Sequence, residues 1–226
     1  MRFDVITIFP ESLRGYFNSS ILGRALKDKN IEINLHNLRD FTQDKHKKTD
    51  DKPYGGGPGM VLKVEPIAKA VLNVVNVKKI KSIITNRTPR TKIIILSPSG
   101  KQFTQKMANN WAKKFNNLIL ICGRYEGVDA RVKKILKAEE ISIGPYIITG
   151  GELPAAVIVD AVARHIPNVL GREESLEEGR GMSGFPVYTK PEIFEYQGKK
   201  YSAPKVLLSG HHEKIKNWRK KHSKKI

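Results

Sequence analysis

Ser142-Ile-Gly-Pro-Tyr-Ile-Ile-Thr-Gly-Gly-Glu-Leu-Pro154 sets three glycines and two prolines among apolar residues. Glycine at this density lets a backbone approach a ligand closely or adopt positive φ. Its alternation with Ile143, Tyr146, Ile147 and Ile148 predicts an apolar pocket wall that exposes main-chain hydrogen-bonding groups. Such a wall suits a flat heterocycle read by backbone rather than by side chains. A second compact signal, Cys122-Gly-Arg-Tyr-Glu-Gly127, lies just upstream.

Outward from this stretch, three apolar runs each end in a Gly/Pro-rich segment. Ile93–Leu96 runs into Ser97–Gly100, Leu118–Cys122 into Gly123–Gly127, and Glu140–Ile143 into Gly144–Gly151. The first two, wholly apolar, predict central parallel strands, and the third a short strand. Between them, Phe103–Phe115 keeps Met107, Trp111 and Phe115 on one helical face, and Asp129–Leu136 has room for a short helix. Further upstream, Phe3–Phe9 reads as a strand, Ser12–Lys29 as a helix and Ile31–Leu38 as a strand. Alternating strands and helices predict an α/β layer with a parallel sheet. Ligands bind at the carboxyl ends of strands in open sheets of this class. Three such loops in series, carrying Tyr125, Glu126 and Tyr146, therefore point to one pocket, whereas a single one would read as an ordinary turn.

The chain has 226 residues, 39% of them hydrophobic, enough for one large domain and a small appendage. Its 41 Lys and Arg against 22 Asp and Glu give a formal charge of +19. That excess points to a polyanionic partner, nucleic acid first and an anionic membrane surface second. The single cysteine, Cys122, excludes an intramolecular disulfide and argues against a cysteine-based metal site. No apolar run reaches membrane-spanning length, and Met1–Phe9 carries Asp4 and is too short for a secretory signal. A soluble, cytoplasmic protein is expected.

Two regions lack periodicity. Asp40–Gly59 is polar and ends in Tyr54-Gly-Gly-Gly-Pro-Gly59, a turn feeding a helix that holds Ile67, Ala70, Val71 and Val74. It matches no phosphate-binding fingerprint. The second, Asn168–Gly184, mixes acids, arginine and glycine as a flexible linker does. Glu152–His165 before it has helical spacing, with Pro154 in the first turn. Beyond the linker, Glu213–Lys225 carries seven Lys and Arg around Ile215 and Trp218, a basic helix suited to phosphate contact.

These motifs, in this order, carry a resemblance. Asp51-Lys-Pro-Tyr-Gly-Gly-Gly-Pro-Gly-Met60, Cys122–Gly127, Ser142–Pro154, Tyr188-Thr-Lys-Pro-Glu192, Val206-Leu-Leu-Ser-Gly-His211 and Ile215-x-x-Trp-Arg219 closely resemble the bacterial tRNA (guanine-N1)-methyltransferases. That family methylates the guanosine at tRNA position 37, beside the anticodon. The resemblance spans nearly the whole chain. It implies the SPOUT methyltransferase fold, an α/β fold with a parallel sheet and a deep trefoil knot, plus a small, mainly helical C-terminal domain. Residues 1–168 would form the S-adenosyl-L-methionine-binding catalytic domain, 169–184 the linker and 185–226 the basic tRNA-binding domain. An obligate homodimer with its active site at the subunit interface is also implied. By matching position, the methyl-donor site would comprise Leu96, Ser97, Gly123, Tyr125, Glu126, Ile143, Gly144, Tyr146, Ile148, Gly150 and Gly151.

Guanine N1 holds a proton and is a poor nucleophile until that proton is leaving. The reaction therefore needs a base at N1 and a positive group near O6, where negative charge develops. Arg164 matches the family arginine given the O6 role. The family places an aspartate in the linker as proton acceptor. Here the linker reads Ser175-Leu-Glu-Glu-Gly-Arg-Gly-Met182 and puts Gly179 at the ungapped position. Glu178 is the first candidate base and Glu177 the second. Pro145 and Ile95 also depart from the family pattern, which has an aspartate and commonly a tyrosine there. The family admits Mg2+, but the six histidines are scattered and show no metal-ligand spacing. A basic RNA-binding protein that keeps the fold and has lost catalysis is the alternative.

Overall fold

The computed structural model describes residues 1–85, 90–171 and 184–223. The chain divides into two compact units, Met1–Gly171 and Arg172–Ile226.

In chain order the first unit holds β1 (Arg2–Thr7), α1 (Glu11–Phe17), α2 (Ser20–Lys27), β2 (Glu32–Asn37) and a 3-10 turn at Leu38–Phe41. Then come a minimal hairpin of β3 (Asp50–Asp51) and β4 (Val61–Leu62), α3 (Val64–Thr85), β5 (Thr91–Gln102) and α4 (Gln105–Lys114). The unit closes with β6 (Asn117–Cys122), α5 (Arg131–Leu136), β7 (Glu139–Ser142) and α6 (Glu152–Ala163). Five strands form one sheet in the order β2-β1-β6-β5-β7, and every neighbouring pair is parallel.

The apolar runs form the sheet because both its faces are covered. Side chains alternate across each strand. On β6, Leu118, Leu120 and Cys122 pack towards α1, α2, α4 and α6, while Ile119 and Ile121 pack towards α3 and α5. All six β6 residues are buried. Truncating one of these leucines to alanine would cost about 2–5 kcal/mol.

Two expectations change in detail. The helix expected over Ser12–Lys29 is two helices, broken at Asn18-Ser19, whose polar side chains compete with helical backbone bonds. The chain folds back so closely there that a Cβ on Gly23 would lie 2.3 Å from the Asn18 carbonyl oxygen. The turn expected at Ser97–Gly100 is instead an excursion within β5. The β5–β7 register shifts between Leu96 and Lys101, so pairing with Ile141 resumes after four residues. A Cβ on Gly100 would lie 2.4 Å from the Ile141 nitrogen, so glycine lets β5 come this close to β7 here.

The second unit holds β8 (Ile193–Tyr196), β9 (Lys199–Ser202), α7 (Lys205–Leu208) and α8 (His212–His222). The β8–β9 hairpin is an element that the sequence reading did not assign. Its Gln197-Gly198 turn has φ of 49° and 70°, the type I′ signature of a two-residue hairpin loop. None of its described residues is fully buried. Small contacts hold it, among them Trp218 stacked on His222 at 4.2 Å and Arg219 over the Phe185 ring.

Candidate active site

The loops after β6 and β7 and the β5 excursion meet around a cavity of about 340 Å³ at the carboxyl end of the sheet. That volume suits a small cofactor. Leu96, Ser97, Gly123, Tyr125, Glu126, Ile143, Tyr146, Ile148, Gly150 and Gly151 all line it. Gly144 does not; a Cβ there would meet the Tyr146 ring at 2.4 Å. Tyr125, Tyr146 and Ile147 are exposed and form part of the mouth.

Backbone bonds fix the walls. The Gly151 N–H donates to the Gly123 carbonyl at 2.8 Å, locking the 144–151 loop to the end of β6. A Cβ on Gly151 would sit 2.6 Å from Cys122 Cα, so only glycine permits this approach. On the far side, Glu126 N–H donates to the Met60 carbonyl and Asp129 N–H to that of Leu62, both at 3.0 Å. The glycine-rich 54–60 segment is thereby tied to the 123–129 loop.

A largely buried charge pair reaches the cavity wall through Arg124. Glu152, 4% exposed, begins α6. It accepts from the Thr7 hydroxyl at 2.6 Å and from Arg124 Nε at 2.9 Å. Arg124 also donates through Nη1 to the Thr149 carbonyl at 3.2 Å and lies 4.7 Å from the centre of the Phe9 ring. One guanidinium thus ties the end of β1, the start of α6 and the 144–151 loop. Burial pushes the Cys122 thiol well above its usual range, and the Glu152 charge adds to this. At the cavity wall, Arg131 donates to Asp129 and holds that carboxyl below the usual range, so it is ionised at neutral pH. The sequence reading missed Arg124 and Glu152 as a pair, although a lone glutamate at the head of an apolar helix was its visible trace. Asp129, Lys133 and Glu140, also in the lining, carried no such signal.

Arg164 caps the other end of α6. At ~1.5 Å per residue, the 12 residues of α6 put it about 18 Å from Glu152 along the helix axis. Leu153, Val157, Asp160 and Arg164 follow helical spacing along one side. Leu153 and Val157 are 66% and 47% exposed, and Tyr16 of α1 donates to the Asp160 carboxylate. Glu177 and Glu178 lie outside the described residues. Among the described residues, no group of three or more His, Cys, Asp or Glu could hold a metal ion. Nor is any described helix long and apolar enough to cross a membrane.

Residues 1–226 match the family described as tRNA (Guanine-1)-methyltransferase TrmD. The chain belongs to this family. Its relatives include a tRNA (guanine-N(1)-)-methyltransferase of Dictyoglomus turgidum, 53% identical over 228 residues covering 100% of this chain and 86% of the relative. Proteins of the same description from Thermomicrobium roseum and Clostridioides difficile are 50% and 43% identical. Those two alignments cover 97% and 100% of this chain, and 78% and 94% of the relatives. Membership of a methyltransferase family implies S-adenosyl-L-methionine as methyl donor. The lining fits that group: Gly123, Gly150 and Gly151 bring no side chain to the cavity, and Leu96, Ile143 and Ile148 line it with apolar surface.

Proposed function

We propose that this protein transfers a methyl group from S-adenosyl-L-methionine to N1 of guanosine 37 in tRNA, beside the anticodon. What supports this most is the convergence of three glycine-bearing segments on one cavity in a chain that matches the family from end to end. When bound, S-adenosyl-L-methionine supplies a methyl group activated by its sulfonium charge. The cavity's own residues bind and orient. Gly123, Gly150 and Gly151 bring backbone within reach of a planar ring, and Leu96, Ile143 and Ile148 flank it. Glu126 and Asp129 supply negative charge that favours a cationic donor.

The acceptor chemistry falls to other residues. Glu178, or its neighbour Glu177, takes the N1 proton, and Arg164 stabilises charge developing at O6. Arg164 and the donor cavity sit at opposite ends of α6, too far apart for one chain to present both to one guanine. This supports a homodimer in which Arg164 serves the partner's cavity. The exposed strip of Leu153 and Val157 on the same helix suits such an interface. The parallel order β6-β5-β7 is compatible with the deep trefoil knot of the SPOUT fold. On this reading residues 1–168 are catalytic, 169–184 link, and 185–226 contact tRNA in the cytoplasm. A requirement for Mg2+ is left to a titration of turnover with the ion.

The test is methyl incorporation from S-adenosyl-L-methionine into two tRNA transcripts, one with guanosine and one with adenosine at position 37. Incorporation confined to the first is expected. Equal or absent incorporation on both refutes the proposal. Donor binding and tRNA binding without transfer would mark a catalytically impaired RNA-binding protein, the reading favoured by Gly179 where the family has its aspartate.

A further inference from the structure

The β8–β9 hairpin of the second unit exposes both its faces. A lone two-stranded hairpin is marginally stable in water, and this one does not hide its rings. The pairing sets Phe194 opposite Tyr201 and Tyr196 opposite Lys199. Residues opposite each other, and residues two apart on one strand, share a face. Phe194, Tyr196, Tyr201 and Lys199 therefore lie on one face, and the three rings are 55%, 56% and 55% exposed. The Phe194 and Tyr196 rings are near parallel, with centroids 6.5 Å apart and planes 13° from each other. Successive bases in a strand rise by ~3.4 Å, so the two rings are about as far apart as next-nearest neighbours in a base stack.

The surroundings are cationic. Between residues 184 and 223 there are nine Lys and Arg, among them Lys199, Lys200 and Lys205, against three Glu. Exposed aromatic faces set among lysines match an unpaired nucleic-acid strand: rings take the bases and ammonium groups the phosphates. A duplex hides its base faces and would use only the charge.

Resting on the reading of the protein as a tRNA-modifying enzyme, we propose that the Phe194–Tyr196–Tyr201 face of the β8–β9 hairpin is a stacking platform for unpaired bases of the RNA substrate. It positions the RNA through unpaired nucleotides, separately from the donor cavity.

The test compares the full-length protein with Phe194→Leu/Tyr196→Leu and Tyr196→Phe/Tyr201→Phe variants. Leucine keeps the hairpin apolar and removes ring faces, while phenylalanine keeps them. The ligands are an RNA stem-loop with unpaired loop nucleotides and a fully paired RNA of equal phosphate number. The leucine variant should lose about 5- to 150-fold in stem-loop affinity for each base unstacked. Its affinity for the paired RNA should hold, and the phenylalanine variant should match the unaltered protein on both. Affinity for S-adenosyl-L-methionine should not move in either variant, which separates this platform from the donor site. Equal loss on both RNAs, or none on either, overturns the proposal. So does a changed sedimentation mass with RNA affinity intact, since the face would then be a contact between copies. If the loop preference vanishes as expected but no variant, nor the unaltered protein, methylates guanosine 37, the platform stands and the catalytic assignment fails.

Discussion

Replacing Glu152 by glutamine tests whether the largely buried pair at the cavity wall holds the donor loop. The substitution keeps shape and removes charge. The amide oxygen can still accept from the charged Arg124 Nε–H, but the amide nitrogen can only donate, so the bond to the Thr7 hydroxyl must reverse direction and becomes neutral. Charged hydrogen bonds contribute about 1.5–3 kcal/mol and neutral ones about 0.5–1.5, so the Thr7 conversion costs about 1 kcal/mol. Arg124 is also left without a counter-charge. Breaking a fully buried pair costs about 3–5 kcal/mol, but 22% of the Arg124 side chain meets solvent, which softens the penalty. The sum is about 2–3 kcal/mol of stability for the first unit.

The second consequence is specific to the site. Arg124 reaches the loop through the Thr149 carbonyl, so a guanidinium that turns towards water lets the loop go. If the held conformation falls to about one tenth of the population, apparent donor Kd rises about tenfold. Denaturant titration measures the first quantity and calorimetry with S-adenosyl-L-methionine the second. Thr7→Val is the control. It removes the other bond to Glu152 and should cost about 1–3 kcal/mol, yet leaves Arg124 paired and donor affinity near that of the unaltered protein. Should Glu152→Gln leave both stability and donor affinity unchanged, or should Thr7→Val weaken donor binding equally, the pair does not position the loop.

Three further outcomes are expected. Gly100→Ala would push a methyl group to 2.4 Å from the Ile141 backbone nitrogen; the strand must shift, and denaturant unfolding should register a loss of about 1–3 kcal/mol. The Tyr16 phenol, held protonated chiefly by its hydrogen bond to Asp160, is pushed up to about 12. A raised pKa means its contribution is intact below the ordinary tyrosine value of ~10 and is lost as pH climbs towards the folded value. Alkaline ultraviolet titration should show one late tyrosine that Tyr16→Phe abolishes. Glu178→Gln should slow methyl transfer about tenfold or more with donor affinity intact, and unchanged turnover would move the base to another residue.

The layers of the first unit were legible because strands buried on both faces must be apolar throughout. Leu118–Cys122 could hardly be anything else, and of the Met107, Trp111 and Phe115 face expected of α4, Trp111 is buried, together with Ala108. Strand order was not legible. Nothing in Ile93–Leu96 says that β5 lies between β6 and β7 or continues to Gln102 beyond its excursion. The hairpin at 193–202 escaped because Gln-Gly is a weaker turn signal than Asn-Gly and because the strands have four residues each and β9 shows no apolar-polar alternation. Arg164 could be named but not located against the cavity, since the span of α6 separates them.

The glycines show where residue reading reaches its limit. Gly123, Gly150 and Gly151 were read as positions where backbone comes near a ligand, and they do line the cavity. Yet what a side chain would strike at each is protein. It would be the Leu96 carbonyl at Gly123, the Arg124 side chain at Gly150 and Cys122 Cα at Gly151. A loop that must lie against the strand beside it and a loop that must admit a planar ring make the same demand on sequence. In this site one set of residues meets both demands. Any substitution there that enlarges the side chain should therefore lower stability and donor affinity together, whereas one that only removes a ligand contact, such as Ile148→Ala at the half-open mouth, should lower affinity alone.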